Sequence, residues 1–431
     1  MKYCTAGESH GPALTAIVSD VPAGFELHEE KINDDLKRRQ GGYGRGGRMQ
    51  IEQDRVEILS GVRFGKTLGT PIALRITNKD WENWSDRMAL QGDAPSDLML
   101  EQSPRPGHAD FVGSLKIGTL DCRDVLERSS ARETAARVAA GAVAKAWLAN
   151  FGVEVSSYVT RIGDVEFSAL PDGHNAACFS SEVIEASPVR CPDRATSARM
   201  VAAIDAAREV GESLGGWFVL IATGLVPGIG GYAEAKDRLT GRIGGAILSI
   251  PAIKGVEFGL GFAAGTLPGS MVHDPIISTR NTGGIKSAGS LGEPAVTSYN
   301  IDECACANHF GENGAECASS VASPGKITRA SNNAGGLEGG MTTGEPLVIR
   351  AVMKPIPTLQ KALKTIDLVT HEPREASRER SDVCAVPAAA VVAEAELAMV
   401  LADAYMDKFG HDCLVDAKHS FEHYAQRITS H

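Results

Sequence analysis

Four arginines, Arg38, Arg39, Arg45 and Arg48, fall within eleven residues that contain no acid, with Gly41, Gly42, Gly44, Gly46 and Gly47 interleaved. Guanidinium forks bind carboxylate and phosphate through paired hydrogen bonds, and glycine lets backbone N–H groups close on an anion. The plainer alternative is a solvated basic loop. Two further readings are weaker. Gly42-x-Gly44-x-x-Gly47 matches a dinucleotide fingerprint but opens no helix. GGYGRGGR resembles an RNA-binding arginine–glycine segment but occurs once, in a chain that is acidic overall.

Two histidines sit on polar turns, His10 in Gly-Glu-Ser-His-Gly and His108 in Arg-Pro-Gly-His-Ala-Asp. Imidazole gives and takes protons near neutral pH, although a lone histidine is more often structural. Leu126–Glu133 (LERSSARE) places Arg128, Ser129, Ser130 and Arg132 at the start of an alanine-rich helix. A helix N-terminus with hydroxyls and arginines suits an anion, and an ordinary capped helix has the same appearance. Lys354 stands in MKPIPT, stiffened by Pro355 and Pro357. Asp382 in RERSD is either a proton acceptor held by Arg380 or part of a helix entry turn. Asn332–Gly344 is a polar, glycine-rich turn able to wrap a planar ligand.

Other signals fail. Ser60–Thr67 (SGVRFGKT) has Ser60 where a phosphate-binding P-loop needs glycine. Cys304, Cys306, His309 and Cys317 are spaced too tightly at the Cys-x-Cys for an ordinary zinc site. No serine nucleophile elbow and no metal-binding carboxylate cluster is evident, so the motifs suit acid–base chemistry on a multiply anionic small molecule.

The elements that would carry these residues are legible. Ser130–Asn150 reads as a helix with a capping box, Ser130 capping and Glu133 reaching back. Residues 196–213 read as a second helix ending near Gly215. Val386–Phe409 reads as a third, with Pro387 in its first turn and Gly410 past its end. Arg55–Leu59, Ile72–Ile76, Trp217–Thr223 and Leu347–Val352 read as strands. Long helices with many short strands indicate a layered α/β or α+β fold. Residues 274–330 carry little periodicity and are expected to be a functional lid, an interface arm or a partly disordered segment.

Composition sets the bounds. The 431 residues include 43 Lys plus Arg against 54 Asp plus Glu, a net charge of −11, which argues against a nucleic-acid coat but not against a local cationic pocket. There is no apolar run of membrane-spanning length and no apolar signal core at the start. Nine scattered cysteines with no Cys-x-x-Cys pair point to free thiols in a reducing cytoplasm.

Taken in order, GESHG, RRQGGYGR, RPGHAD, RSSARET, IKGVEFG, NNAGGLEGGM, KPIPTL and RSDVC resemble the chorismate synthase family from about residue 3 to 410. Ala6 stands where the family often has Phe, Leu260 where it often has Asp, and the stretch at 274–330 is longer than the family's usual passage between flanking motifs. That stretch reads as an atypical inserted loop, covering the active site or extending a subunit contact.

The resemblance implies one catalytic domain over 1–431, with long helices sandwiched between two antiparallel sheets, assembled as a homotetramer. It implies elimination of phosphate and a ring proton from 5-enolpyruvylshikimate-3-phosphate, with reduced flavin mononucleotide (FMN) required. Arg39, Arg45, Arg48 and Arg132 would clamp the substrate. His108 would protonate the departing phosphate, His10 would serve the flavin's protonation state, and Asp382 with Ser9 would help remove the ring proton. Arg128, Ser129, Ser130, Gly339, Lys354, Pro355, Ile356, Pro357, Thr358 and Arg380 would line the flavin. NADPH would be an indirect reductant, acting through this enzyme or an external flavin reductase. No separate nicotinamide motif is convincing, since Gly259-x-Gly261-x-x-Ala264 lacks a βαβ setting. A non-catalytic flavin-binding protein and an RNA-binding module at 38–48 are the competing classes.

Overall fold

The chain folds into helices and several antiparallel sheets. The computed structural model describes residues 1–46, 53–167, 179–278, 327–377 and 382–429. One sheet runs in the order β1 (Lys2–Ala6), β2 (Ala13–Ser19), β4 (Ile72–Thr77), β3 (Val56–Ile58). A second runs β8 (Ile253–Phe258), β11 (Leu347–Met353), β7 (Gly216–Thr223), β5 (Glu154–Ile162), β6 (Val165–Glu166). Every pairing in both is antiparallel. The central strand β7 (GWFVLIAT) is almost wholly buried, which is why it reads as a continuous apolar run.

Two helices occupy the centre. α4 (Thr134–Ala149) packs on β2 and β4 of the first sheet and on α7 (Val386–Phe409), and α7 packs on β5 and β7 of the second. Both are alanine-rich and buried around most of their circumference. Small side chains let two helix backbones approach closely. At the crossing a Cβ added to Gly141 would lie 2.3 Å from Ala395 Cβ and 2.5 Å from its Cα, so only glycine fits.

A helix buried on all sides must neutralise any acid it carries. Glu394 of α7 is fully buried and accepts from Arg38 at the end of α1 (Glu29–Gln40), from Lys145 of α4 and from Ser157 of β5. Arg190 adds a fourth donor at 3.2 Å. Burial works against ionisation, but the three cations outweigh it and hold the carboxyl well below its ordinary range. Arg38 therefore faces the core, apart from the anion-binding group suggested by its spacing.

The expected elements are present with shifted ends. The four strands lie at Val56–Ile58, Ile72–Thr77, Gly216–Thr223 and Leu347–Met353. The second helix, α5, spans Arg194–Glu209 because Asp193 caps it, accepting from Thr196 N–H at 2.7 Å, and Gly211 at φ 74 ends it. The helix expected from Ser130 starts as α4 four residues later, after a 3₁₀ turn at Ala131–Glu133. Ser130 does cap that turn, accepting from Arg132 N–H. Glu133 does not reach back: it takes Thr5 and Arg137 instead, so half of the capping box forms.

Three other sequence signals resolve structurally. SGVRFGKT is a hairpin, Val62–Arg63 paired with Lys66–Thr67, with Phe64 at its tip. Gly42 and Gly44 follow helix α1, not a strand, at φ 102 and 90. The ends of the 274–330 stretch pair as a ribbon, β9 (Ile276–Ser278) against β10 (Ile327–Arg329). Asp274 beside it accepts from Asn333 N–H at 2.7 Å, Ala334 N–H at 2.9 Å and the Ser331 hydroxyl. Residues 279–326, with Cys304, Cys306, His309 and Cys317, lie outside the described residues.

Gly141→Val is expected to destabilise the fold by about 1–3 kcal/mol or more through overpacking. Gly245→Ala, in helix α6 (Leu239–Leu248) with nothing within 4 Å of the added methyl, should stabilise it by about 0.5–1 kcal/mol. Urea melts distinguish the two; equal effects would remove the steric reading of Gly141. Glu394→Gln should cost about 3–5 kcal/mol at pH 7. Because the native carboxyl titrates below its unfolded value of about 4.3, its contribution is present above that pH and lost as the pH falls through the native value. The gap between wild type and Glu394→Gln should therefore narrow below about pH 4, and a constant gap would contradict the ionised assignment.

Candidate active site

Helix α1 ends at Gln40 and delivers Arg39 to the interior, where Nε donates to Thr134 Oγ1 at 2.9 Å and Nη2 to Ala131 O at 2.8 Å. Its Nη1 lies 3.4 Å from Asp54 Oδ2, and Arg132 Nη1 is 2.5 Å from Asp54 Oδ1, so two arginines share one buried carboxylate. Arg132 also donates twice to Asn78 Oδ1, at 3.0 and 2.8 Å. Asn78 in turn donates to the carbonyls of Gly11 and Glu8, which fastens the GESHG turn to the arginine pair. Burial lowers the Arg39 pKa to about 10; Asp54 opposes this, while Arg132 and Arg45 push further down. Arg45, Arg132, Asp54 and Asp382 thus all act on the charge of Arg39, the arginines against it and the carboxylates for it.

Arg45 lies on the glycine turn after α1, with Nη1 2.8 Å from Asp382 Oδ2. Gly46 N–H donates to Asp382 Oδ1 at 2.6 Å. Asp382 is therefore held from two sides at the entry of α7. Arg45 is 11% exposed, against 4% for Arg39 and 3% for Arg132. Arg45 is thus the most exposed of the three, and Arg39 and Arg132 are buried. Arg48 and Arg380 lie outside the described residues.

Helix α3 (Arg123–Ser129) organises Ser9 and His10. Glu127 is buried; its carbonyl accepts from Ser9 N–H at 3.1 Å and its carboxylate from His10 N–H at 2.8 Å. His10 Nδ1 lies 2.9 Å from the same carboxylate, and Arg123 donates to it at 3.0 Å. Burial raises the Glu127 pKa, but the His10 bonds and Arg123 outweigh it, so the group sits below its ordinary value. Trp84 stacks on His10 with ring centroids 4.2 Å apart. Just past the helix, Ser130 Oγ donates to Ser9 Oγ at 3.2 Å. Arg128 is tied to Thr5 and the Gly7 carbonyl, and Ser129 Oγ donates within its own helix to Val125 O at 2.9 Å.

A third cluster surrounds His108, on a turn between Arg105 and helix α2 (Asp110–Ile117). His108 Nδ1 is 2.5 Å from Asp110 Oδ1, and Arg105 Nε donates to Asp110 Oδ2 at 2.7 Å. Gly107, at φ 80, makes the turn possible. The turn is fastened to the KPIPT loop: Lys354 Nζ donates to Gly107 O at 2.6 Å and Arg105 Nη1 to Thr358 Oγ1 at 3.2 Å. Ile356 O accepts from Ser213, and Pro355 packs over Gly215. The Lys354 pKa is lowered, first by burial and then by Lys254. Gly339 lies instead on a hairpin turn against Arg238 and Leu239; among the described residues no hydrogen bond ties that turn to the three clusters.

The structure therefore brings Ser9, His10, Arg39, Arg45, Arg132, Ser130 and Asp382 into two linked networks, and His108 with Lys354–Thr358 into another. Sequence reasoning missed Asp54, Asn78, Trp84, Arg105, Asp110, Arg123 and Glu127. Arg105 and Asp110 stood inside the motif quoted for His108, and Glu127 inside LERSSARE. Asp54 and Asn78 carried no local signal.

A model of the family described as Chorismate synthase matches residues 1–309 and 302–406. The chain belongs to the chorismate synthase family. A chorismate synthase of Rubrobacter xylanophilus is 49% identical over 428 residues, 99% of this chain and 97% of the relative. One of Geobacter sulfurreducens is 46% identical over 430 residues, 99% of each, and one of Aquifex aeolicus 45% over 435, covering 100% of this chain and 98% of that one. A crystal structure of a chorismate synthase superposes at a TM-score of 0.73 with 39% identity, covering 100% of this chain and 98% of that chain. A chorismate synthase is a carbon–oxygen lyase: it eliminates phosphate and a ring proton from 5-enolpyruvylshikimate-3-phosphate to give chorismate, the last step of the shikimate pathway to aromatic amino acids.

Asp54→Ala should destabilise the protein by about 3–5 kcal/mol, since it leaves Arg39 and Arg132 buried without their shared carboxylate. Added inorganic phosphate should recover part of the loss by occupying the cationic site. Thermal melts with and without phosphate measure both effects. A variant as stable as wild type would show that Asp54 does not neutralise the pair.

Proposed function

We propose that this chorismate synthase uses reduced FMN and that the three side-chain clusters perform the elimination between them. The observation that carries the reading is the gathering of Arg39, Arg45 and Arg132 around Asp54 and Asp382, together with two histidines that are each held at Nδ1 by a buried carboxylate. The residues present also fit an anionic, planar cofactor. Lys354 and Lys254 repel each other in a half-buried setting, which an adjacent phosphate would relieve. The Ser9–Ser130 hydroxyl pair adds hydrogen-bonding capacity beside His10. Arg128, Ser129, Ser130, Gly339, Lys354, Pro355, Ile356, Pro357, Thr358 and Arg380 are assigned to holding the flavin. Bound there, reduced FMN supplies electron density transiently and recovers it, so the reaction has no net redox change.

The protein groups divide the remaining work. Arg45 and Arg48 contact the carboxylates and phosphate of the substrate, and Arg39 and Arg132 set the field that attracts them. His108 protonates a phosphate oxygen as the C–O bond breaks, which makes a better leaving group. Asp382 and Ser9 assist departure of the ring proton, and His10 serves the flavin's protonation state. Phosphate and proton leave from opposite faces in a 1,4 arrangement, and the electrons of the broken C–H bond form the new double-bond system.

The same reading takes the chain as one domain with its long helices sandwiched between two antiparallel sheets, supported by the packing of α4 and α7. It includes assembly as a homotetramer in the cytoplasm, with NADPH as the ultimate reductant, through this enzyme or an external flavin reductase. No helix among the described residues is long and apolar enough to cross a membrane.

Mixed anaerobically with chemically reduced FMN and 5-enolpyruvylshikimate-3-phosphate, the protein is expected to release phosphate and chorismate in equal amounts. His108→Ala should lower turnover by about a hundredfold or more. Failure to form product while both flavin and substrate bind would overturn the reading in favour of a non-catalytic protein.

A further inference from the structure

His108 is gripped at one nitrogen. Nδ1 lies 2.5 Å from Asp110 Oδ1 and 3.3 Å from Arg105 Nη2, while among the described residues nothing bonds Nε2, and the side chain is 16% exposed. Asp110 is 1% exposed. Burial disfavours its ionised form, but the bonds from His108 and Arg105 prevail and hold its carboxyl well below the usual range. An ionised carboxylate can only accept, and its contact with Nδ1 is much shorter than that of Arg105 Nη2, so the shared hydrogen belongs to Nδ1 and Nε2 is the end that exchanges protons with a ligand.

Arg105 holds the other side of Asp110. Its Nε donates to Oδ2 at 2.7 Å, its Nη2 to Oδ1 at 3.2 Å and its backbone N–H to Oδ2 at 3.1 Å. Its Nη1 donates to Thr358 Oγ1 at 3.2 Å. Arg105 is itself buried, so Asp110 is fixed at both oxygens by groups that cannot swing into solvent.

Resting on the reading of His108 as the acid, we propose that Asp110 and Arg105 are positioning residues for it. Asp110 accepts the Nδ1 hydrogen and steadies the ring that is protonated at both nitrogens, whose Nε2–H is given to the leaving phosphate, and Arg105 locks that carboxylate to the 354–358 loop. In the step itself, the Nε2–H bond breaks and an O–H bond forms on phosphate as the C–O bond electrons leave with that oxygen. The imidazole left behind is neutral, carries its hydrogen on Nδ1, and regains a proton at Nε2 from solvent.

In Asp110→Asn the neutral amide no longer steadies the doubly protonated ring, and where its N–H donates to Nδ1 the ring is neutral with its hydrogen on Nε2, whose loss would leave an imidazolate and so makes a poor acid. Asp110→Asn is expected to lower kcat by roughly a hundredfold with KM changed by no more than a few-fold. Asp110→Glu should restore part of the rate. NMR of isotope-labelled histidine should show the Nδ1-bound hydrogen of His108 in wild type and its loss in Asp110→Asn. Combined with His108→Ala, Asp110→Asn should add no further loss, because it acts through the imidazole. Should Asp110→Asn not fold, Arg105→Lys carries the test, with an expected loss of about tenfold in kcat at unchanged KM. The inference fails if Asp110→Asn turns over like wild type, or if it slows His108→Ala as much as it slows wild type. An active His108→Ala would instead remove the acid reading on which the inference stands.

Discussion

The crossing of α4 and α7 at Gly141 and Ala395 is the constraint from which the rest of the molecule follows. With backbones this close, no large side chain can separate the two helices, and the bulky residues Trp147, Tyr405 and Phe409 are displaced toward the ends. A helix enclosed in this way has no solvent face on which to place a charge. Glu394, one residue before the crossing, must then draw cations from α1, from α4 and from Arg190. That requirement fixes the last turn of α1 from its inner side through Arg38. The neighbouring Arg39 points the other way, to Thr134, Ala131 and Asp54. Adjacent arginines thereby transmit the position of the core to the position of the site.

The charge pattern follows the same logic. A chain of net charge −11 concentrates three guanidiniums around Asp54 and Asp382, where burial already disfavours the Arg39 cation. Such a cluster costs stability, and it is tolerated because the crossing and its ion pairs hold the surrounding elements in place. Under the proposed function, this gathering of guanidiniums is what would attract a substrate that carries carboxylates and a phosphate. Whole-chain acidity and local basicity thus serve different ends, one solubility and the other recognition.

Much of this was readable in the residues because each signal was local. Alanine spacing, Pro387 and Gly410 mark α7, and continuous apolar runs mark β7 and β11. The motif histidines and arginines announce themselves by glycine and proline neighbours. What could not be read depends on distant partners. Nothing near Asp54 says that it will sit between Arg39 and Arg132, and nothing near Asn78 says that it will tie Arg132 to Gly11. Arg38 looks like a fourth member of the anion group until Glu394, 356 residues away, claims it. The half-formed capping box has the same origin: Thr5 and Arg137 compete for Glu133 and win because β1 packs against that helix end.

The site also shows why a short helix matters more here than its length suggests. His10, Arg45 and His108 all lie on turns, which alone would leave them loosely placed. Helix α3 corrects this at its C-terminal end, where one residue, Glu127, holds Ser9 through its carbonyl and His10 through its carboxylate. One and three residues on, Arg128 and Ser130 are fixed against β1 and Ser9. The His108 turn uses Arg105 and Asp110 in the same manner, with α2 as the rigid support. Both histidines are thus positioned by carboxylates buried at helix ends, so that turns carry side chains whose orientation is set elsewhere.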